Sequence, residues 1–231
     1  MSIKCFWYSK NKFSFFKHMS KLLEIKICGI KDKDSMNAAL NNKANYVGLV
    51  FYKKSPRNIS IELSKELLER RNSYTKIVVL TVDPDDILIS NIIFNIQPDF
   101  LQLHGQETPE RCKAIKTKFN ISIIKGIGIT NKEQLIYSTK KYGDVSDILL
   151  LDAPSSTLPG GNGAKFNWEV LKNYDYRKKW MLAGGLKFDN IKEAIKITNA
   201  PAIDVSSGVE VRKGIKDSKL IEQLIKKCKN I

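Results

Sequence analysis

The sequence predicts an α/β fold in which eight parallel strands close into a single-domain (β/α)8 TIM barrel behind a short N-terminal extension. Three observations lead there. Eight strand-length apolar runs recur, separated by helix-length amphipathic stretches. Side-chain acceptors (Asp, Ser, Thr or Asn) stand where those stretches begin. No GxGxxG follows the first strand, so an open dinucleotide-binding sheet lacks its signature. Strands alternating with helices run parallel through right-handed crossovers, and closure into a ring is the simplest arrangement of eight even units.

The elements follow in order. The first strand, 25–28 (IKIC), ends on Cys28 and breaks at Gly29, and Asp32 precedes a helix over 33–42. Strand 46–51 (YVGLVF) leads to Ser60, which precedes a helix carrying Leu63, Leu67 and Leu68, with Glu62 and Glu66 near its start. Strand 76–82 (KIVVLTV) is followed by Asp83-Pro84, opening a helix over 84–95. Strand 99–103 (DFLQL) precedes Thr108-Pro109-Glu110, which opens 109–118. Strand 121–126 (ISIIKG) is followed by a helix over 131–140, capped by Thr130 with Glu133 at the capping-box position. After strand 147–152 (DILLLD), Asn167 precedes a helix over 168–173; after strand 180–183 (WMLA), Asp189 precedes one over 190–199. Strand 202–206 (AIDVS) leads to Asp217 and a final helix over 218–229.

Composition narrows the function. An apolar content of 42% over 231 residues supports one sizeable core, and no run of about 18 apolar residues marks a membrane span. Cys5, Cys28, Cys112 and Cys228 are scattered, with no CxxC or histidine spacing for zinc, which reads as reduced thiols in a cytoplasmic protein. The net charge of +15 raises nucleic acid as a partner. Yet five lysines lie in residues 1–23, the rest are spread over amphipathic segments, and no RNP, zinc-finger or helix-turn-helix pattern accompanies them. A positive field equally suits a small anionic substrate, so neither nucleic acid nor membrane is expected as a partner.

Residues 1–23 read as an addition to the 24–231 barrel domain. Met1 to His18 shows no helical or strand period, and Met19 starts a clean run into the first strand. A disordered tail or a start at Met19 is expected rather than a signal peptide, because a continuous apolar stretch and a small-residue cleavage site are lacking.

In a barrel the active site forms at the C-terminal ends of the strands. Cys28 ends the first strand and Asp152 the sixth, on roughly opposite sides of the ring, so a thiol and a carboxylate can flank a substrate as general base and general acid. The loops after strands seven and eight carry Gly184-Gly185 and Ser206-Ser207-Gly208, small residues that let backbone N–H groups and hydroxyls approach a phosphate. Lys26 shares a strand face with Cys28 and is expected to favour its thiolate. His104 ends the fourth strand as a pocket-lining candidate, and Asp204 on the eighth is placed to bond a sugar hydroxyl or to serve structurally. Cys5, Cys112 and Cys228 read as incidental or structural, Trp168 and Trp180 as packing residues, and Gly126-Ile127-Gly128, placed after strand five, as too short for a nucleotide fingerprint.

The segments KICGI, GLVFYKKSPRNI, LQLHGQE, LLLDAPSSTLPGGNG, LAGGL and IDVSSGVE occur in the order found in phosphoribosylanthranilate isomerases, and the chain resembles that family over roughly residues 24–230. The resemblance implies a tryptophan-biosynthesis enzyme that needs no cofactor or metal. Its reaction is the Amadori rearrangement of N-(5-phosphoribosyl)anthranilate to the 1-deoxyribulose phosphate. It implies Cys28 as general base, Asp152 as general acid, and Arg57 as a bidentate partner for the anthranilate carboxylate. Gly184, Gly185, Ser206 and Ser207 are then assigned to the substrate phosphate. The loop Gly160-Gly161-Asn162-Gly163 resembles the family's GGTG loop, with Asn where Thr is usual, and is a candidate lid. A monomer or weak homodimer is expected. The alternatives are another phosphosugar barrel, which would want a lysine–glutamate set or metal-binding histidines, and a non-catalytic basic binding protein.

Overall fold

The computed structural model describes residues 22–154, 167–174, 176 and 178–231. The predicted extension 1–23 lies outside them except for Leu22 and Leu23, and the Gly160–Gly163 loop lies outside them altogether.

The chain runs β1 (Glu24–Cys28), α1 (Lys33–Asn41), β2 (Tyr46–Phe51), α2 (Ile61–Leu68), β3 (Lys76–Thr81), α3 (Asp86–Ile96), β4 (Phe100–Leu103), α4 (Pro109–Phe119), β5 (Ser122–Gly128), α5 (Lys132–Tyr142) and β6 (Ile148–Asp152). It continues through a 3-10 turn at Trp168–Leu171, β7 (Lys179–Leu182), α6 (Ile191–Thr198), β8 (Ala202–Val205), a 3-10 turn at Ser207–Val209, β9 (Glu210–Arg212), β10 (Ile215–Lys216) and α7 (Ser218–Lys229). Strands β1 to β8 pair in sequence order, all parallel, and β1 closes the ring on β8. The predicted barrel is therefore the observed fold.

Strand alternation sorts the side chains into two cores. Ile25 and Ile27 of β1 face outward and pack under α1 with Met36, Ala39 and Leu40, part of a continuous layer between sheet and helices. Each such fully buried side chain contributes about 1.5–3 kcal/mol, so Ile27→Ala would cost about 2–5 kcal/mol once the cavity is counted. Inside the ring, Tyr46, Val78, Ile124, Ile148, Leu150, Met181, Ala183 and Ala202 form an apolar plug, above which Cys28, Val50 and Leu80 make a smaller cluster. Strands covered on both faces read as unbroken apolar runs, which is why the sequence locates them well.

The helix starts differ in detail. Two acids compete at α3: Asp85 caps it through Leu88 N, while Asp83, in a left-handed conformation (φ 47°), accepts Gln106 N–H at 2.7 Å. Asn131, not Thr130, caps α5, and the box shifts one residue so that Gln134, not Glu133, reaches back to Thr130 N. Asp189 is no cap; Asn190 occupies the position and spends its side chain on Lys187 N and Gly185 O. Among the described residues, the helix predicted over 168–173 is only the four-residue 3-10 turn, and Gly126 to Gly128 belong to β5 rather than to a loop after it. The β9–β10 hairpin has no counterpart in the sequence reading. Cys112, Cys228 and Trp180 are buried packing residues as expected.

Candidate active site

Lys26 and Cys28 project from β1 into the barrel, both buried. Lys26 pairs with Asp204 across the β1–β8 seam, where the two residues are in register, Nζ to Oδ1 3.0 Å. Burial works against the Lys26 charge, but Asp204 and the neighbouring Cys28 prevail and hold its pKa above the ordinary lysine value. Burial pushes the Cys28 thiol up; Lys26 and Lys216 pull it down, and Asp204 adds to the rise. Lys26 points into the barrel and works against the rise, but burial outweighs it, so the thiol stands above its ordinary value. Room for the thiol comes from β2: a Cβ at Gly48 would lie 2.8 Å from Cys28 Sγ.

On the other side of the ring, Asp152 ends β6 with Oδ1 accepting Ala153 N–H at 2.7 Å. Its Oδ2 lies 3.4 Å from His104 Nε2. Gln102, buried on β4, places its amide Nε2 2.9 Å from His104 Nδ1, a hydrogen-bonding contact that sets the ring's orientation beside Asp152. The ring sits over β5 only because residue 126 has no side chain; a Cβ there would come 2.3 Å from Nδ1.

The two phosphate-loop candidates meet. Gly184 and Gly185 both take positive φ (86° and 65°), and Gly184 lies against Asp152 and Ala153. A Cβ at Gly208 would fall 1.9 Å from Leu186 O, so only glycine lets the loop after β8 abut the loop after β7. Asn190 clamps Gly185 O and Lys187 N, fixing the first loop. The Ser206 hydroxyl gives its proton to Cys28 O at 3.1 Å and accepts from Lys216 Nζ at 3.3 Å, which ties the loop after β8 to the strand bearing the thiol.

The geometry has counterparts of known activity. The family model for N-(5'phosphoribosyl)anthranilate (PRA) isomerase matches residues 25–227. The chain belongs to the PRA isomerase family. It is 43% identical to the N-(5'-phosphoribosyl)anthranilate isomerase of Paramagnetospirillum magneticum, across 88% of this chain and 96% of the relative. It is 40% identical to that of Rhodospirillum centenum, across 86% and 94%. The crystal structure of the Thermotoga maritima enzyme superposes with a TM-score of 0.81 at 31% identity, covering 90% of this chain and all of that one. A solved phosphoribosylanthranilate isomerase in complex with reduced 1-(o-carboxyphenylamino)-1-deoxyribulose 5-phosphate gives 0.79 at 30% identity, with the same coverage.

Arg57 packs its stem on Gly29, next to Cys28, where a Cβ on that glycine would come 2.6 Å from Arg57 Cδ. Its Nε and Nη2 donate to Glu210 Oε1 and Oε2 at 2.7 and 2.9 Å. Glu210 also accepts from Lys216 Nζ at 2.7 Å and Gly214 N at 3.0 Å. Burial opposes the Glu210 charge, but Arg57 and Lys216 hold its pKa down to about 2. Burial likewise depresses the Lys216 pKa against the pull of Glu210.

The structure thus gathers Lys26, Cys28, Asp204 and Ser206 on the β1–β8 side and His104 and Asp152 on the other, with Gly184 between them against Asp152. Glu210, Lys216 and Asn190 escaped the sequence reading. So did the buried Lys125–Glu107 pair (2.8 Å), which grips Gly105 O and Gly105 N just after His104. Glu210 ended the IDVSSGVE segment and Glu107 ended LQLHGQE, the signals available; nothing local marked the others.

Among the described residues no helix is long and apolar enough to cross a membrane.

Proposed function

We propose that Cys28 and Asp152 carry the isomerisation of N-(5'-phosphoribosyl)anthranilate in this chain, the rearrangement of tryptophan biosynthesis, as general base and general acid. Asp152 gives its proton to the furanose ring oxygen, the C1–O bond breaks, and the nitrogen lone pair forms an iminium. The Cys28 thiolate takes the C2 proton; the C–H electrons form the C1–C2 double bond, and the iminium π pair returns to nitrogen. The resulting enolamine gains a proton at C1 and loses one from the C2 hydroxyl, giving the ketose with no net change in protons.

The observation that carries this reading is the joint placement of a buried thiol and a carboxylate at the C-terminal ends of β1 and β6, beside two abutting glycine-bearing loops. His104 lies beside the Asp152 carboxyl, Nε2 to Oδ2 3.4 Å, and lines the pocket there. Lys26 supports the thiolate, and Asp204 holds Lys26 through Oδ1, leaving Oδ2 for a sugar hydroxyl. The phosphate is held by Gly184, Gly185, Ser206 and Ser207. Because the Ser206 hydroxyl proton is already committed to Cys28 O, Ser206 contributes through its backbone. Arg57 receives the anthranilate carboxylate. The reading takes the enzyme as a monomer or weak homodimer in a cytoplasmic setting.

The test is steady-state turnover of phosphoribosylanthranilate by Cys28→Ser and Asp152→Asn. Each is expected to lower kcat by about 10²–10⁴-fold, the usual worth of a positioned acid or base. Turnover near the wild-type rate in both variants would refute the assignment.

A further inference from the structure

We propose that Glu210 is a positioning residue for substrate recognition: it holds Arg57 by one edge so that the guanidinium's second edge faces the substrate carboxylate. The inference rests on Arg57 being that carboxylate's partner.

Three observations carry it. A guanidinium has five N–H donors on two usable edges. Glu210 engages Nε and one Nη2 proton, leaving the second Nη2 proton and both Nη1 protons as a free fork, for which the described residues supply no acceptor. That fork matches a planar carboxylate. Next, the cluster carries surplus charge. Arg57 and Lys216 share the single carboxylate of Glu210, all three side chains being 7% exposed or less, so two positive charges meet one carboxylate in a largely buried site. Buried charge is tolerated where a partner arrives, and the partner this cluster lacks is an anion. Finally, Glu210 is itself overdetermined. The β9–β10 hairpin brings Lys216 Nζ and Gly214 N–H to it, so the carboxylate cannot swing away without losing both. Lys216 also binds Ser206 O at 2.9 Å, which fixes the hub to the loop after β8.

The experiment uses calorimetric binding of two probes: reduced 1-(o-carboxyphenylamino)-1-deoxyribulose 5-phosphate, and the same molecule without its ring carboxylate. Wild type, Glu210→Gln, Arg57→Met and the double variant are compared. Glu210→Gln should weaken the carboxylated probe by about tenfold or more and the other by less than about twofold, with the double variant no weaker than Arg57→Met, as coupled residues behave. In turnover, KM should rise more than kcat falls, the mark of lost ground-state binding. If Glu210→Gln folds poorly, Glu210→Asp, which keeps the charge but shortens the reach, is read the same way. Equal weakening of both probes would make Glu210 merely structural and overturn the proposal. If Arg57→Met keeps the wild-type preference for the carboxylated probe, the Arg57 reading fails and takes this inference with it. If Arg57→Met loses that preference while Glu210→Gln retains it, only the role of Glu210 falls.

Discussion

Both ends of the barrel interior hold a lysine–carboxylate pair anchored on β1, and they are finished differently. At the N-terminal end, Glu24 accepts from Tyr46 Oη and Lys179 Nζ, each at 2.6 Å, and Lys179 also donates to Tyr46 Oη at 2.7 Å while lying over its ring. The triangle satisfies itself, and burial together with Glu24 pushes the Tyr46 pKa up. Two and four residues further along the same face, Lys26 and Cys28 are in the same barrel but are not closed off in this way. Lys26 has one carboxylate partner, Cys28 has a thiol above its ordinary pKa, and the nearest hydroxyl, Ser206, is committed to backbone. A closed network stabilises the fold. An open one, held in place by distant pairs such as Glu210–Lys216 and Glu107–Lys125, leaves valences for a ligand.

Lys26→Met attacks the open end hardest. The cation lowers the Cys28 pKa against burial, so removing it raises the thiol further. The ascending limb of kcat/KM against pH should move to higher pH, and kcat/KM at neutral pH should fall by about 10–100-fold. The variant also strands Asp204, costing about 3–5 kcal/mol of stability. Adding Asp204→Asn should recover most of that stability and, because Asp204 itself raises the thiol, reverse only part of the pH shift. An unchanged pH profile would separate Lys26 from the base. The matching substitution at the closed end, Lys179→Met, should leave the profile where it was; a shift there as well would dissolve the contrast between the two ends.

How much of this was legible follows from the same contrast. The eight strands were readable because each is an apolar run covered on both faces, and Cys28 and Asp152 were readable because they interrupt such runs at their C-terminal ends. What holds them was not. Lys125 alternates outward from β5 and finds Glu107 only through the fold, and Lys26 and Asp204 meet 178 residues apart. The β9–β10 hairpin, three residues against two, is too short to carry a period, so the pairing of Arg57 with Glu210 could not be read from it. Local capping rules failed where several acceptors stand together, at Asp83 to Asp86 and at Thr130-Asn131, because a one-residue choice is decided by tertiary contacts.

Gly48→Ala probes the open end more gently. The new methyl would meet Cys28 Sγ at 2.8 Å and Cys28 Cα at 3.1 Å, closer than carbon packs, so thiol and strand must shift. A displacement of this kind costs about tenfold or more in kcat when it misplaces a reacting atom. Thermal melting should show a loss of about 1–3 kcal/mol, the usual range for overpacking. A kcat near wild type would mean that the thiol position tolerates movement and that the base is less precisely held than the Lys26–Asp204 pair implies.

Tyr46→Phe at the closed end should have the smallest effect on catalysis. It deletes one hydroxyl that accepts from Lys179 and donates to Glu24, and keeps the ring that packs edge-on against Phe100 at 6.0 Å. Glu24 and Lys179 retain each other, so no charge is stranded, and the expected loss is about 1–2 kcal/mol by chemical denaturation, the worth of a partly exposed hydrogen-bonded pair. Activity should stay within about twofold of wild type, since the reacting groups sit at the opposite end of the apolar plug formed by Val78, Ile124, Leu150 and Met181. Val78, Ile124, Leu150 and Met181 carry no titratable group. A change in the kcat pH profile on losing the Tyr46 hydroxyl would therefore show electrostatic coupling through the barrel, and the two ends would have to be treated as one network.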